Sequence, residues 1–299
     1  MNPMRRLKHK LTYPRDPKSP EHKLPRTKPT KSQYVLYAIL IVYGAITLYP
    51  FLWAVGAGFK SYAEIVGGGL NIIPTNPTLD NFRHLFVNHP MFLRWMWNSF
   101  MIGAVGTGLN IIFNTMAGYS LARLSYPGRK SVFLIIVAAI TIPGQILLIP
   151  NFLIMRSLGM LDTFGSLIIP GAINFTYIFM MRQFFLNFPR EVEEAAKVDG
   201  LNGFLTFIYI VFPMAKASIA TMGIFVFLSF WNEFLRPLLY LSTPANFTVT
   251  LGLRTFEDQN LAQWNYIMAA SVVSILPIIV LYVLLNKYFM QGFRIGGDK

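Results

Sequence analysis

Residues 187–213 read NFPREVEEAAKVDGLNGFLTFIYIVFP. The segment interrupts an apolar chain with charge and strong helix formers. Asn187 is a suitable N-cap, and Pro189 suits a first helical turn. Glu191, Glu193 and Glu194 fall in the first two turns, where the helix dipole favours negative charge. Val192, Ala195 and Ala196 are spaced i, i+3 and i+4, which puts small residues on one face. Gly200 permits the turn or C-cap conformation closed to other residues. The run Leu201–Phe212 then leads to Pro213. This predicts a short helix, a sharp bend and a second helix. An ordinary amphipathic connector would read the same way, so the surroundings decide its meaning.

On both sides the chain is apolar. Its 299 residues are 54% hydrophobic and only 13% charged, with a mean hydropathy of +0.47. A soluble domain carries about 25% charged residues, so the composition argues against a soluble enzyme. A helix needs about 20 apolar residues to cross a bilayer core. Six stretches qualify, at about 34–59, 94–122, 132–150, 165–186, 213–235 and 264–286. The first runs YVLYAILIVYGAITLYPFLWAVGAGF without a charge. It is too long and too far from the N-terminus for a signal-peptide core, and reads as an uncleaved anchor. Ala104 and Gly108 suggest close helix packing.

The net charge is +13, and ten of the 26 Lys and Arg residues precede Gln33. Residues 1–33 are expected to be a disordered basic arm near anionic headgroups. No folded nucleic-acid module accompanies it, so nucleic acid is not an expected partner. Orientation follows the Lys/Arg bias of the connecting segments. The arm, Arg123, Arg129, Lys130, Arg182, Arg190, Lys197, Lys216, Lys287, Arg294 and Lys299 put 20 cations on one side. Lys60, Arg83, Arg94, Arg156, Arg236 and Arg254 put 6 on the other. Both termini are therefore expected in the cytoplasm, with residues 34–299 forming a multi-pass domain.

Several chemistries are missing. There is no cysteine, and His9, His22, His84 and His89 show no metal-ligand spacing. No serine-nucleophile elbow or phosphate loop is present. The nearest look-alike, Gly128-Arg129-Lys130-Ser131, lacks the upstream glycine. ATP hydrolysis is therefore not expected on this chain, nor is a metal site. One acid, Glu233, lies within an expected span. Intramembrane carboxylates are functional candidates by default. An interfacial Glu233 paired with Arg236 or a backbone donor is an equal alternative. Asn110 and Asn114, one turn apart, together with Gln145, Asn174, Tyr177, Asn232 and Glu233, are the polar candidates for a pathway. Planar amides and aromatic faces suit sugars, yet amides in spans often only bond neighbouring helices.

Glu194-Ala195-Ala196, Gly200 and Ile210-Val211-Phe212-Pro213 together resemble the EAA loop of binding-protein-dependent ABC importer permeases. That pattern is E-A-A, three residues, G, nine residues, I-x-L-P, with Phe212 here replacing Leu. Ala117-Gly-Tyr-Ser-Leu-Ala-Arg123, Tyr126-Pro-Gly128, Trp231-Asn-Glu-Phe234 with Pro237-Leu238, Pro74 to Phe82, and Lys287-Tyr-Phe289 with Gly292 extend the resemblance over about residues 34–297. The chain is most similar to the second, six-helix permease of carbohydrate importers. The resemblance implies an all-α, type I importer permease fold with a cytoplasmic coupling segment at about 187–212. It implies Glu194, Ala195, Ala196, Asp199, Gly200 and Pro213 as the residues that couple to an ATP-binding subunit dimer. It also implies a second homologous permease, an extracytoplasmic solute-binding protein, a carbohydrate substrate and a lipid surround, in a bacterial or archaeal plasma membrane. ATP and Mg would belong to the partner ATPase, with no cofactor on this chain. The loop Thr243–Gln263 either reaches the binding protein or merely covers helix ends. The rival is an ion-gradient carrier, which would show inverted repeats and buried acids. A second alternative keeps the ABC fold and changes the cargo to a non-sugar or phosphorylated compound.

Overall fold

The computed structural model describes residues 30–68, 70–256 and 263–295, with side chains as far as Asn286. It has two compact units, Met1–Pro50 and Phe51–Lys299. In the first, helix α1 (Lys31–Gly58) begins, and its side chains there, Ile41 and Tyr43 among them, are exposed. The expected arm at 1–33 lies outside the described residues up to 29, and Lys31 onward is helical rather than arm.

The second unit is built from helices, with no strand among the described residues. Its longest described members are α2 (Met91–Arg123) and a closing helix, α12 (Trp264–Ile295). Between them lie α3 (Arg129–Ile140), α4 (Leu148–Ser157), α5 (Phe164–Gly171), α6 (Phe175–Leu186) and α7 (Arg190–Val198). They are followed by α8 (Gly203–Met214), α9 (Lys216–Trp231), α10 (Leu235–Tyr240) and α11 (Val249–Leu253). Helices α1, α2 and α12 are each long and apolar enough to cross a membrane. Three further stretches qualify only as bent pairs. The bend is 94° between α3 and the stretch Gly144–Ser157, 41° between α5 and α6, and 77° between α8 and α9.

Those bends fall inside three of the six expected stretches. At 132–150 the chain turns at Thr141-Ile142-Pro143, because Pro143 biases the preceding residue away from helix. The span expected at 213–235 is α9, which ends at Trp231 and leaves Glu233 beyond the helix. A π-turn at Phe207–Val211 precedes Pro213 in α8. It is the local rearrangement that a missing proline N–H provokes.

Helix α2 is central. It packs on α6 and on α9, and α9 packs on α12. Side chains of four elements close one core: Tyr119 of α2, Met181 and Phe185 of α6, Phe207 and Val211 of α8, and Met222 of α9. Without a hydrophobic force between helices in lipid, association rests on close backbone approach. Gly118 supplies it: a Cβ there would lie 2.7 Å from Met181 Cβ and 2.9 Å from the Arg182 amide nitrogen. Gly103 and Gly106 likewise admit the rings of Phe227 and Phe230. The two residues expected to do this do not. Ala104 is exposed, and a Cβ on Gly108 would meet nothing within 4 Å. Helix α3 reaches α6 through rings, with Phe133 stacked on Phe179 and the Arg182 guanidinium 3.7 Å over Phe133.

Gly118→Ala is expected to destabilise the unit, since overpacking a tight contact costs about 1–3 kcal/mol. Gly108→Ala should be neutral or slightly stabilising. Thermal unfolding of the two variants in detergent micelles checks the contrast. Equal midpoints would contradict it.

Candidate functional site

Two places gather the candidate residues. The first is the elbow at α7 and α8. Helix α7 starts at Arg190 with Pro189 as its N-cap residue, while Asn187 closes α6. The expected cap at Asn187 is thus displaced by two residues, because α6 runs on to Leu186. Glu191 and Glu193 occupy the first turn as the dipole favours. The helix ends in a Schellman motif: Leu201 N–H donates to the Ala196 carbonyl and Gly200 N–H to that of Lys197, both at 3.0 Å. Gly200 holds φ at +82°, and a Cβ there would meet open space. The demand on Gly200 is therefore purely one of backbone angle. Asn202 then caps α8 by accepting from the Leu205 amide at 2.9 Å.

The faces of α7 divide sharply. Ala196 is buried and Val192 half-buried against the core that contains Tyr119. Ala195, expected on the same face, is exposed, as are Glu194 and Asp199. Val198, an apolar side chain, is 88% exposed beside them. Glu193 points the other way. Its Oε1 lies 3.0 Å from Arg123 Nε at the end of α2, without the alignment of a hydrogen bond. Tyr119 Oη donates to Glu193 Oε2 at 3.4 Å. Arg123 also donates to the Phe188 carbonyl. The elbow is thereby tied to the central helix through a charge pair whose side chains are 5% and 14% exposed. Sequence reasoning singled out Glu194 and missed Glu193. The signal existed, since Glu193 precedes buried Ala196 by three residues and Arg123 ends the quoted Ala117–Arg123 stretch.

The second place is a cavity of about 810 Å³ lined by α2, α3, α4, α5, α6, α9 and α10. Asn110, Asn174, Tyr177 and Glu233 line it; Gln145, Asn114 and Asn232 do not. Gln145 and Asn232 are exposed elsewhere. Asn114 is fully buried and serves the break between α5 and α6. It donates to Asn110 Oδ1 at 2.7 Å and accepts from the Asn174 amide at 3.1 Å. Asn110 in turn donates to the Gly171 carbonyl at 2.6 Å. Backbone groups freed at membrane depth need such partners. Ser229, Asn151 and Arg236 also face the cavity, though none was expected there. Glu233 Oε1 accepts from the Leu235 and Arg236 amides at 3.2 and 3.4 Å, and Oε2 lies 3.9 Å from Arg236 Nε. Of its two readings, the paired one describes its contacts.

The loop after α10 is fixed from below. Trp95 donates to the Pro244 carbonyl at 2.7 Å, and Asn98 to those of Ala245 and Phe247 at 2.9 Å. From the side, Asp162 accepts from Ser242 N–H and Thr243 N–H, both at 3.0 Å, and from the Thr243 hydroxyl. The Thr243 hydroxyl, then the two amides, hold the Asp162 carboxyl well below the usual carboxylate range against an opposing desolvation. A lowered folded-state value stabilises above the ordinary value of 3.8 and fades only as pH falls below it. The stretch Thr243–Leu253 is therefore folded against α2, while 257–262 of the expected reaching loop lie outside the described residues. The same holds for the side chains of Lys287–Phe289.

Residues 114–295 match the family described as binding-protein-dependent transport system inner membrane component. The chain belongs to this family. As a permease it is 33% identical to the arabinooligosaccharides transport system permease protein AraQ of Halalkalibacterium halodurans, over 85% of this chain and 92% of that protein. It is also 33% identical to the sulfoquinovosyl glycerol transport system permease protein SmoH of Agrobacterium fabrum, over 89% and 93%. A bacterial ABC transporter that imports the acidic polysaccharide alginate contains a chain of the same fold, with a TM-score of 0.78 at 24% identity. The match covers 88% of this permease and 99% of that chain.

Removing one partner of a buried ion pair costs about 3–5 kcal/mol. Arg123→Met or Glu193→Met alone should lower the stability of the permease by that order. The double variant should recover most of the loss, because no uncompensated charge remains. Unfolding of all three in micelles checks it; losses that simply add would contradict the pairing.

Proposed function

We propose that this permease is the membrane subunit of an ATP-driven carbohydrate importer and that α7 is its docking helix for a separate ATP-binding subunit. The observation that carries the reading is the divided face of α7. One side is locked to α2 by Glu193 and Arg123, and the other exposes Glu194, Ala195, Val198 and Asp199. An apolar Val198 beside acids on a cytoplasmic helix suits a protein partner with a basic rim. Gly200 sets the angle to α8, and Pro213 closes the elbow before α9. ATP and Mg belong to that partner, and this chain acts as a conduit rather than an enzyme.

The AraQ, SmoH and alginate-importer names support a sugar as cargo, delivered by an extracytoplasmic binding protein. A second homologous permease would complete the pathway beside the cavity. Each bent pair counts as one span in this reading, giving six, with both termini in the cytoplasm of a bacterial or archaeal cell. The transition is a selection between two arrangements of the bundle by closure of the ATPase dimer. An ion-gradient carrier is not favoured: family membership speaks against it, and Glu233 spends an oxygen on backbone amides.

The test is uptake by vesicles holding this permease with its partner permease, ATPase and binding protein. Labelled oligosaccharide should enter only with ATP and binding protein. Gly200→Val or Glu194→Lys should abolish uptake while leaving membrane insertion intact. Uptake driven by a proton or sodium gradient without ATP would overturn the reading.

A further inference from the structure

The cavity holds one feature that the importer reading leaves unused. Of its lining residues only Glu233 and Arg236 carry charge. They are not a closed pair. Glu233 turns Oε1 to two amides of its own turn, and the nearest approach to the guanidinium is 3.9 Å, at Nε. The two terminal nitrogens of Arg236 make no hydrogen bond among the described residues. Nη1 lies beside Gly171, 3.5 Å from where a Cβ there would stand, while the Phe230 ring fills the closer space at 2.8 Å. The Gly171 carbonyl is already taken by Asn110. Gly171 thus admits the Phe230 ring, and the Arg236 guanidinium stands at the cavity wall with its terminal nitrogens uncommitted. Tyr177, Asn174 and Ser229 also line this cavity.

An arginine edge presents parallel donors that match a carboxylate or another oxyanion in two bonds. In a partly enclosed site such a contact is screened less than in open water. We infer that Arg236 reads an anionic group on the transported compound, so that the cavity favours a sugar bearing a carboxylate, sulfonate or phosphate over a neutral one. Asn174 and Tyr177 would meet its hydroxyl groups and ring face. Glu233, 3.9 Å from Nε, keeps the empty site near neutral overall. The inference deepens the importer reading and rests on it for the word transported. Binding itself does not depend on ATP or on any partner.

The chain has no cysteine, so Ser229→Cys places a single thiol on the cavity wall. The rate of its modification by an uncharged maleimide is measured on the full chain in lipid nanodiscs. The reaction is run with digalacturonate, with galactose 6-phosphate or with neutral digalactose added. The inference expects at least one anionic sugar to slow modification severalfold, with the neutral dimer ineffective at the same concentration. Which of the two anions protects separates carboxylate from phosphate recognition. Arg236→Gln should abolish protection, and Arg236→Lys, which keeps charge but loses the fork, should retain part of it. Equal protection by the neutral dimer, protection by none of the three sugars, or unchanged protection in Arg236→Gln would overturn the inference. Protection here with no ATP-dependent uptake in the vesicle assay would leave this inference standing and remove the importer reading.

Discussion

The charge pair between Arg123 and Glu193 is the interaction on which the rest of the arrangement depends. It joins the end of the central helix to a short helix whose other face is bare. Two buried charges are costly apart and tolerable together. The pair therefore fixes register: α7 has one seat on α2, and a slide along it would leave both charges unpaired. Tyr119 and the Phe188 carbonyl complete the seat. Motion of α7 is then motion of α2, and through Gly118 it is also motion of α6.

A second constraint shapes the pathway. Backbone groups at membrane depth must find partners inside the protein, yet the chain bends sharply at three places. The break between α5 and α6 is served by the relay from Asn110 through Asn114 to the Asn174 amide. That relay also shapes the cavity, since Asn110 and Asn174 stand in its wall. Polar side chains that read as sugar contacts thus include one, Asn114, wholly engaged in supporting the fold. Among the side chains that line the cavity, Glu233 and Arg236 are the charged ones.

Much of this was legible in the sequence because the bilayer simplifies it. Apolar runs marked where the long apolar helices and the bent pairs lie, and the Glu194–Pro213 spacing marked the elbow and its glycine turn. What escaped depends on rotation and on distance along the chain. Ala104 and Gly108 have the right size for close packing, but Gly103, Gly106 and Gly118 face the partners. Adjacent glutamates look alike in sequence, yet Glu193 faces inward and Glu194 outward. The 94° bend after α3 was not foreseen, although Pro143 disfavours helix just before it. Arg236 was read only as a possible mate for Glu233, because nothing local tells that α2, α5 and α6, far away in the chain, share the cavity it lines.

The central claim is that α7 moves as one body with α2 when ATP acts. Spin labels at Lys197→Cys on α7 and at Ser125→Cys, two residues past the end of α2, both exposed positions, would report the distance between the two helix ends in the assembled importer. The account predicts one narrow distance distribution, unchanged between the nucleotide-free and ATP-bound states. A distance that shifts or splits on ATP binding in the otherwise native chain would contradict it, because α7 would then be swinging free of the helix that it is held to drive.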